Sequence, residues 1–170
     1  GRLLNADGIF LTEKIDLFPS LGGTQREVNL LTLRDGGFVA AAQMNNNINL
    51  QRFNHLAQPL GEPVVASMVN TGLITEYKQI SLSELTNGNY VVSWSATGDR
   101  DGDGYSAMAR LFTANGIALT EEVQLNQYSD GHQQGVKVAS LNNGGFMATW
   151  QSYGADGDDW GVISRLFDDN

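Results

Sequence analysis

Two loops in the second half of the chain carry closely spaced carboxylates. In SATGDRDGDGYS, from Ser95, aspartates occupy alternate positions and Gly104 follows them, which is the opening of a calcium-binding loop. Arg110 stands where such a loop would end in glutamate, so further oxygens would come from carbonyls, water or a neighbouring loop. Aspartate and glycine are also the residues of a solvated hairpin loop. The sequence predicts calcium as a cofactor, with these ligands: Asp99, Asp101, Asp103, Asp156, Asp158 and Asp159.

Aromatic residues flank both acidic loops. Tyr105 and Trp160 follow the loops at matching positions, and Tyr153 precedes the second loop. A flat aromatic face beside carboxylates suits a sugar, so these three residues are predicted to bind a ligand, with a hydrophobic latch for the hairpin as the alternative. Trp94 and Trp150 share one repeated position inside an apolar strand, which indicates packing between repeats.

The sequence offers no recognisable catalytic group. His55 and His132 do not occupy equivalent positions, and neither has a serine, cysteine or second histidine at a catalytic spacing. A glycosidase needs two carboxyl groups in different environments, whereas the carboxylates of this chain recur with its repeats. We therefore expect no catalytic residue and no enzyme.

The chain contains an internal sequence repeat. A similar segment surrounds Arg2, Arg52, Arg110 and Arg165, with a period of about fifty to sixty residues. Glutamates follow the first three arginines at a nearly constant distance, which predicts a repeated structural ion pair with Glu13, Glu62 and Glu121. Residues 1–170 are interpreted as one repeat domain, with units at 2–51, 52–109 and 110–164 and a terminal strand end at 165–170.

Each unit is expected to be an all-β sheet of four short antiparallel strands. Branched and aromatic runs alternate with turn segments such as RDGG, TNGN and NNGG, which favour tight primed hairpin turns. The inner runs FVAAA, YVVSW and FMATW are apolar throughout, as in strands covered on both faces. This pattern predicts blades of a β-propeller, with a β-sandwich or an open β-solenoid as alternatives.

Three blades are fewer than the roughly four to eight of a closed propeller. Adjacent repeats, or a second copy completing a six-bladed ring, are the expected partners. The chain has 19 acidic against 10 basic residues and a net charge of -9, so we expect no nucleic-acid partner. No apolar run is long enough for membrane insertion by a helix.

The repeats resemble those of large secreted bacterial proteins of the RTX and adhesin type. The resemblance rests on GGFMATWQSYGADGDDWGVISRLFDDN from Gly144, NYVVSWSATGDRDGDGYSAMARLFTANG from Asn89 and GGFVAAAQ from Gly36. It implies an extracellular or cell-surface location, calcium use and a role in adhesion. The first unit departs from the pattern, because Ala42 replaces the tryptophan and MNNNIN replaces the acidic loop.

Three functions follow from these observations. The leading expectation is a non-enzymatic extracellular module for adhesion or surface and matrix assembly, stabilised by calcium. The alternative is a carbohydrate-binding lectin of propeller architecture, with glycans as partners. A third hypothesis is a piece of an enzyme whose catalytic part lies outside this chain.

Overall fold

The computed structural model describes residues 1–67, 76–97 and 101–168. All regular structure in these ranges is β-structure, because the sequence alternates short branched and aromatic runs with glycine-rich turns. The strands are β1 Gln25–Thr32, β2 Phe38–Met44, β3 Asn47–Phe53, β4 Pro59–Val65, β5 Tyr77–Glu84, β6 Tyr90–Ala96, β7 Ser106–Phe112, β8 Val123–Gln124, β9 Gln133–Ser140, β10 Phe146–Tyr153 and β11 Trp160–Phe167.

The strands form three antiparallel sheets, each in the order of the chain. The first blade is β1 to β4, the second is β5 to β8 and the third, over the described residues, is β9 to β11. Strand β5 contacts both β1 and β9, so the first strands of the blades lie side by side. This arrangement confirms the prediction of an all-β, propeller-like fold of repeated sheets. The predicted unit boundaries at 51/52 and 109/110 fall inside the third strand of a sheet.

The first two strands of each blade are joined by the same turn. Gly36, Gly88 and Gly144 each donate a backbone hydrogen bond to the carbonyl three residues earlier, and their φ angles are 85°, 84° and 101°. The two residues before each glycine keep negative φ, so the turn is type I followed by a left-handed glycine. The prediction of a primed turn was wrong, although it placed the hairpins correctly.

The core consists of layers between neighbouring blades. Trp94 is fully buried between the first and second blades, and Trp150 packs in the layer between the second and third. Ala42 occupies the equivalent position in the first blade, where Phe18 of the N-terminal segment lies in the same cluster. The repeated tryptophan therefore packs blades together, as the sequence predicted, and Phe18 takes its space where the repeat has alanine.

The first strand of every blade contains a bulge, and in the second and third blades the preceding blade caps it. Glu27, Gln79 and Gly135 occupy the bulges with φ angles of 52°, 57° and 74°. The N–H of Gln79 donates to Glu27 Oε2 at 3.0 Å, and the N–H of Gly135 donates to Gln79 Oε1 at 2.8 Å. A strand bulge leaves a backbone donor without a ladder partner, so these side chains satisfy it across the blade interface.

Stacked aromatic pairs fix the register of the third strand. Phe38 stacks on Phe53, Tyr90 on Phe112 and Phe146 on Phe167. In this register Gln51, and not Arg52, is the equivalent of Arg110 and Arg165. Gln51 Nε2 donates to the carbonyl of Gly61, as Arg110 Nε donates to the equivalent carbonyl of Thr120.

The predicted arginine–glutamate pairs are absent from the described residues. Arg52 pairs with Asp35 instead, and Arg110 donates to the carbonyls of Thr120 and Ala66. The repeated arginine is a brace between strands that uses backbone acceptors. That role needs donors and not charge, which is why glutamine replaces it in the first blade.

The first and third blades each expose an apolar face. Val28 and Leu30 on β1 are 53% and 56% exposed, and Val162 and Leu166 on β11 are 77% and 68% exposed. The position of Val162 is taken in the second blade by Ala107, which is fully buried against the third blade. These faces have the composition of a blade interface.

Replacement of Trp94 by alanine is expected to cost about 3–5 kcal/mol of unfolding free energy, because it leaves a cavity between two blades. Chemical denaturation followed by circular dichroism measures this loss. Trp160→Ala is the matched control, because Trp160 is 46% exposed and should cost well under half as much. Equal losses for the two variants would contradict the layered core.

Candidate functional site

Four aromatic side chains from three loops meet at the end of the second and third blades. We call Tyr105, His132, Tyr153 and Trp160 the aromatic cluster. The rings of His132 and Trp160 are parallel at 6.5 Å between centroids, and Tyr105 is tilted against His132 at 5.6 Å. Tyr153 meets Trp160 edge to face at 5.5 Å. The three ligand-binding residues predicted from the sequence are thus brought together, and His132 joins them.

A charged pair borders the cluster at Tyr105. The Tyr105 hydroxyl donates to Glu76 Oε2 at 2.5 Å, Lys78 Nζ lies 3.2 Å from the same oxygen, and the ammonium stands over the Tyr105 ring. The hydrogen bond from Tyr105, followed by that from Lys78, lowers the pKa of Glu76. Burial and the hydrogen bond to Glu76 raise the pKa of Tyr105. The interactions of Lys78 with Tyr105 and with Glu76 raise the pKa of Lys78. Glu76 is therefore held as a carboxylate.

A buried amide holds the loops that carry these rings. Asn126 Nδ2 donates to Asp101 Oδ2 at 2.6 Å and to Gln133 Oε1, while its own oxygen accepts from the N–H of Ala107. Asp101 Oδ1 also accepts from the Ser106 hydroxyl. One side chain thus links the loop before β7, the loop before β9 and the start of β9. This linkage fixes Tyr105 and His132 relative to each other.

Four of the predicted metal ligands accept hydrogen bonds from protein donors: Asp101, Asp103, Asp156 and Asp158. Asp103 Oδ2 accepts from the N–H of Gly131, and Asp156 and Asp158 accept from backbone N–H groups within their own loop. Residues 1–67, 76–97 and 101–168 contain no group of three acidic, histidine or cysteine side chains that could hold a metal ion. Asp99 lies outside the described residues. Calcium binding by these carboxylates, including Asp101 and Asp159, stays a prediction.

Sequence reasoning missed Glu76, Lys78 and His132. Glu76 and His132 precede the first strand of their blades, and the equivalent residue of the first blade is Thr24. One repeated position thus carries three residue types. The repeat is broken where the loops meet, and that break is the signal in the sequence that could have identified the site.

Comparison of the sequence with known proteins gives no match: no family model and no curated protein is similar to this chain. In the ranges that the structure describes, no helix is long and apolar enough to cross a membrane.

Comparison of the structure gives clear matches. The match to a thermostable family-43 glycoside hydrolase covers 94% of this chain and 60% of that protein's chain, with a TM-score of 0.56 and 16% identity. An α-L-arabinanase from Penicillium chrysogenum, complexed with arabinobiose, matches 82% over 45% of its chain, with a TM-score of 0.52 and 16% identity. An α-L-arabinofuranosidase from Clostridium thermocellum matches 83% over 51%, with a TM-score of 0.51 and 10% identity. This chain spans about half of their length.

These matches correct two predictions, those of a non-enzymatic adhesion module and of no enzyme. The three matched proteins are glycoside hydrolases. At such identities the likeness shows the fold alone. The prediction of no enzyme assumed that the carboxylates repeat with the blades, but the position of Glu76 holds Thr24 in the first blade and His132 in the third.

We predict that Glu76 titrates below the ordinary glutamate pKa of 4.5. Because its folded pKa is lowered, the stability it contributes is present above the unfolded pKa and is lost as the pH falls through the folded value. Tyr105→Phe removes the main donor and should return the pKa towards 4.5, as measured by a carboxyl NMR titration. Tyr153→Phe is the control and should leave the titration of Glu76 unchanged. No change in Tyr105→Phe would contradict the contact.

Asp101→Ala should lower the unfolding free energy by about 1–3 kcal/mol in EDTA, because the Asn126 amide loses its shortest hydrogen bond and the buried Ser106 hydroxyl loses its acceptor. Asp156→Ala, whose contact is local and exposed, should change it by less than about 0.5 kcal/mol.

Thermal melts in calcium, with magnesium as control, test calcium as a cofactor. A calcium-specific rise that Asp101→Ala abolishes would support metal binding.

Proposed function

We propose that this chain forms part of a carbohydrate-active β-propeller protein and that the aromatic cluster is its glycan-binding surface. The observation that carries the proposal is the convergence of four rings from three loops beside an ionised carboxylate and an ammonium group. The identity of the matched structures as glycoside hydrolases supports the substrate class.

The chemistry of the cluster suits a sugar. A pyranose or furanose ring presents C–H groups on its faces and hydroxyls around its rim. The half-exposed rings of Tyr153 and Trp160 offer apolar faces and edges for the C–H groups. Glu76 accepts hydrogen bonds from hydroxyls and Lys78 donates to them. A few polar groups beside aromatic surface are the usual composition of such a site.

We also propose that the whole protein hydrolyses a polysaccharide. Glycoside hydrolysis needs one protonated and one ionised carboxyl group across the glycosidic bond. The lowered pKa of Glu76 suits the ionised role, that of base or charge-stabilising group, and not that of the acid. A second, protonated carboxyl group would have to face it.

Location and partners follow from this proposal. Polysaccharides are met outside the cell, so we propose an extracellular or bacterial cell-surface location. The apolar faces at Val28 and Leu30 and at Val162 and Leu166 would pack against further blades of the same protein or against a second copy.

Titration with arabinan-derived oligosaccharides, followed by calorimetry and tryptophan fluorescence, tests the glycan-binding surface. Trp160 is half-exposed whereas Trp94 and Trp150 are buried, so a fluorescence change on binding should come mainly from Trp160. Trp160→Ala is expected to weaken binding at least tenfold through loss of the stacking face.

Phe10→Ala is the matched control, since Phe10 is an exposed aromatic residue of the N-terminal segment, outside the cluster. It should bind as the wild type does. Binding that survives Trp160→Ala, or that Phe10→Ala weakens equally, would reject the aromatic cluster as the binding surface. Release of reducing ends, compared between the wild type and Glu76→Gln, tests hydrolysis separately.

A further inference from the structure

A concave site distinct from the aromatic cluster lies in the third blade. It is a cleft of about 200 Å³ between the segment before β9 and the strands β10 and β11. Its lining includes the side chains of Tyr128, Trp150, Ser152 and Arg165. Among the described residues no aspartate or glutamate lines it, although the chain has 19 acidic residues. Over the described part of the chain, the cleft thus contains one cationic side chain and no carboxylate.

One buried polar group of the cleft lacks a partner. Ser152 is 1% exposed, and its hydroxyl makes no hydrogen bond with the described residues. A buried hydroxyl without a partner is unfavourable and needs an explanation. The equivalent residue of the second blade is Ala96, which is fully buried. The fold therefore accepts alanine here, and the hydroxyl is not required for packing.

Arg165 is the charged side chain of the cleft. Arg110, its equivalent in the second blade, uses two donors on the carbonyls of Thr120 and Ala66. Arg165 keeps the contact that corresponds to Ala66, from Nη1 to the carbonyl of Leu125 at 3.3 Å. The guanidinium carries five N–H donors in a planar fork that matches a carboxylate. It can therefore donate hydrogen bonds to a backbone carbonyl and to an anionic group at the same time.

We propose that this cleft binds the carboxylate-bearing unit of an acidic glycan, such as a uronic acid. Arg165 pairs with the carboxylate, the Ser152 hydroxyl gains a partner from a sugar oxygen, and Trp150 and Tyr128 supply the aromatic walls. The volume of the cleft suits one sugar unit.

The cleft adjoins the aromatic cluster through one stretch of chain. Ser152 and Tyr153 are consecutive, the cleft also contains Ala155, and the Tyr128 hydroxyl lies against Gly154. Ser152 and Tyr153 point to opposite faces of β10, so a glycan that occupies both sites would pass around the loop between β10 and β11. The inference rests on the proposed function and specifies its substrate class as acidic.

The chain itself supplies variants that should fold. Gln51 stands at the position of Arg165 in the first blade, and Ala96 stands at that of Ser152 in the second. Arg165→Gln and Ser152→Ala therefore introduce residues that the scaffold already holds at equivalent sites. Arg110→Gln is the matched control for the same substitution outside the cleft.

Trigalacturonic acid and its methyl ester are the probes, because esterification removes the negative charges of the carboxylates and leaves the sugar rings unchanged. Calorimetry on the whole chain should show at least tenfold tighter binding of the acid. Arg165→Gln should reduce this preference to about twofold or less, and Arg110→Gln should preserve it. Ser152→Ala should weaken both ligands without lowering the melting temperature, since it removes no internal hydrogen bond.

The outcomes separate the two proposals. Equal affinities for acid and ester, or a preference that survives Arg165→Gln, would overturn the acidic cleft and leave the aromatic cluster standing if Trp160→Ala still weakens binding of neutral arabinan-derived oligosaccharides. A preference for the acid that falls with Arg165→Gln but not with Trp160→Ala would support the cleft and reject the cluster. No binding of any of these glycans would overturn both.

Discussion

The hydrogen bond from each strand bulge to the preceding blade is the constraint on which the candidate site depends. Residues with positive φ turn the start of β5 and β9 and leave an N–H without a ladder partner, and Glu27 and Gln79 satisfy it from the neighbouring blade. Loss of this contact would leave a donor unsatisfied. Because Glu76 and His132 directly precede the capped strands, the contact also fixes the positions from which these side chains reach Tyr105.

The fold could be predicted because its signals occur three times. Asp-Gly and Asn-Gly steps at Asp35, Asn87 and Asn143 marked hairpins, and the buried runs between them marked strands covered on both faces. In the first blade, the alignment of the repeats was shifted by one residue. Arginine was taken as its marker, whereas the structure uses any side chain that donates to the facing carbonyl, and Gln51 does so. The residue at this position must place a side-chain donor near the facing carbonyl. Residue type alone does not reveal that requirement.

The candidate site could be predicted only in part. Tyr105, Tyr153 and Trp160 stood out because aromatic residues beside acidic loops are unusual, and they do meet. His132 was discounted as a lone histidine because its neighbours in space, Tyr105 and Trp160, come from other loops. The aspartates were interpreted as ligands from their spacing, and the structure adds a contact of Asp101 with Asn126, a partner 25 residues away. Contacts of that range are a property of the sheet arrangement and leave no local pattern.

Repetition also provides a way to separate scaffold from function within one chain. Where a position does the same work in every blade, its residues can be exchanged, as glutamine for arginine at Gln51 shows. Where a blade keeps a polar residue that its equivalents do without, packing does not account for it. Ser152 is such a residue, since Ala96 fills the same place with no polar atom to satisfy. An unsatisfied hydroxyl lowers stability, so its presence beside Arg165 is more consistent with a ligand than with the needs of the fold.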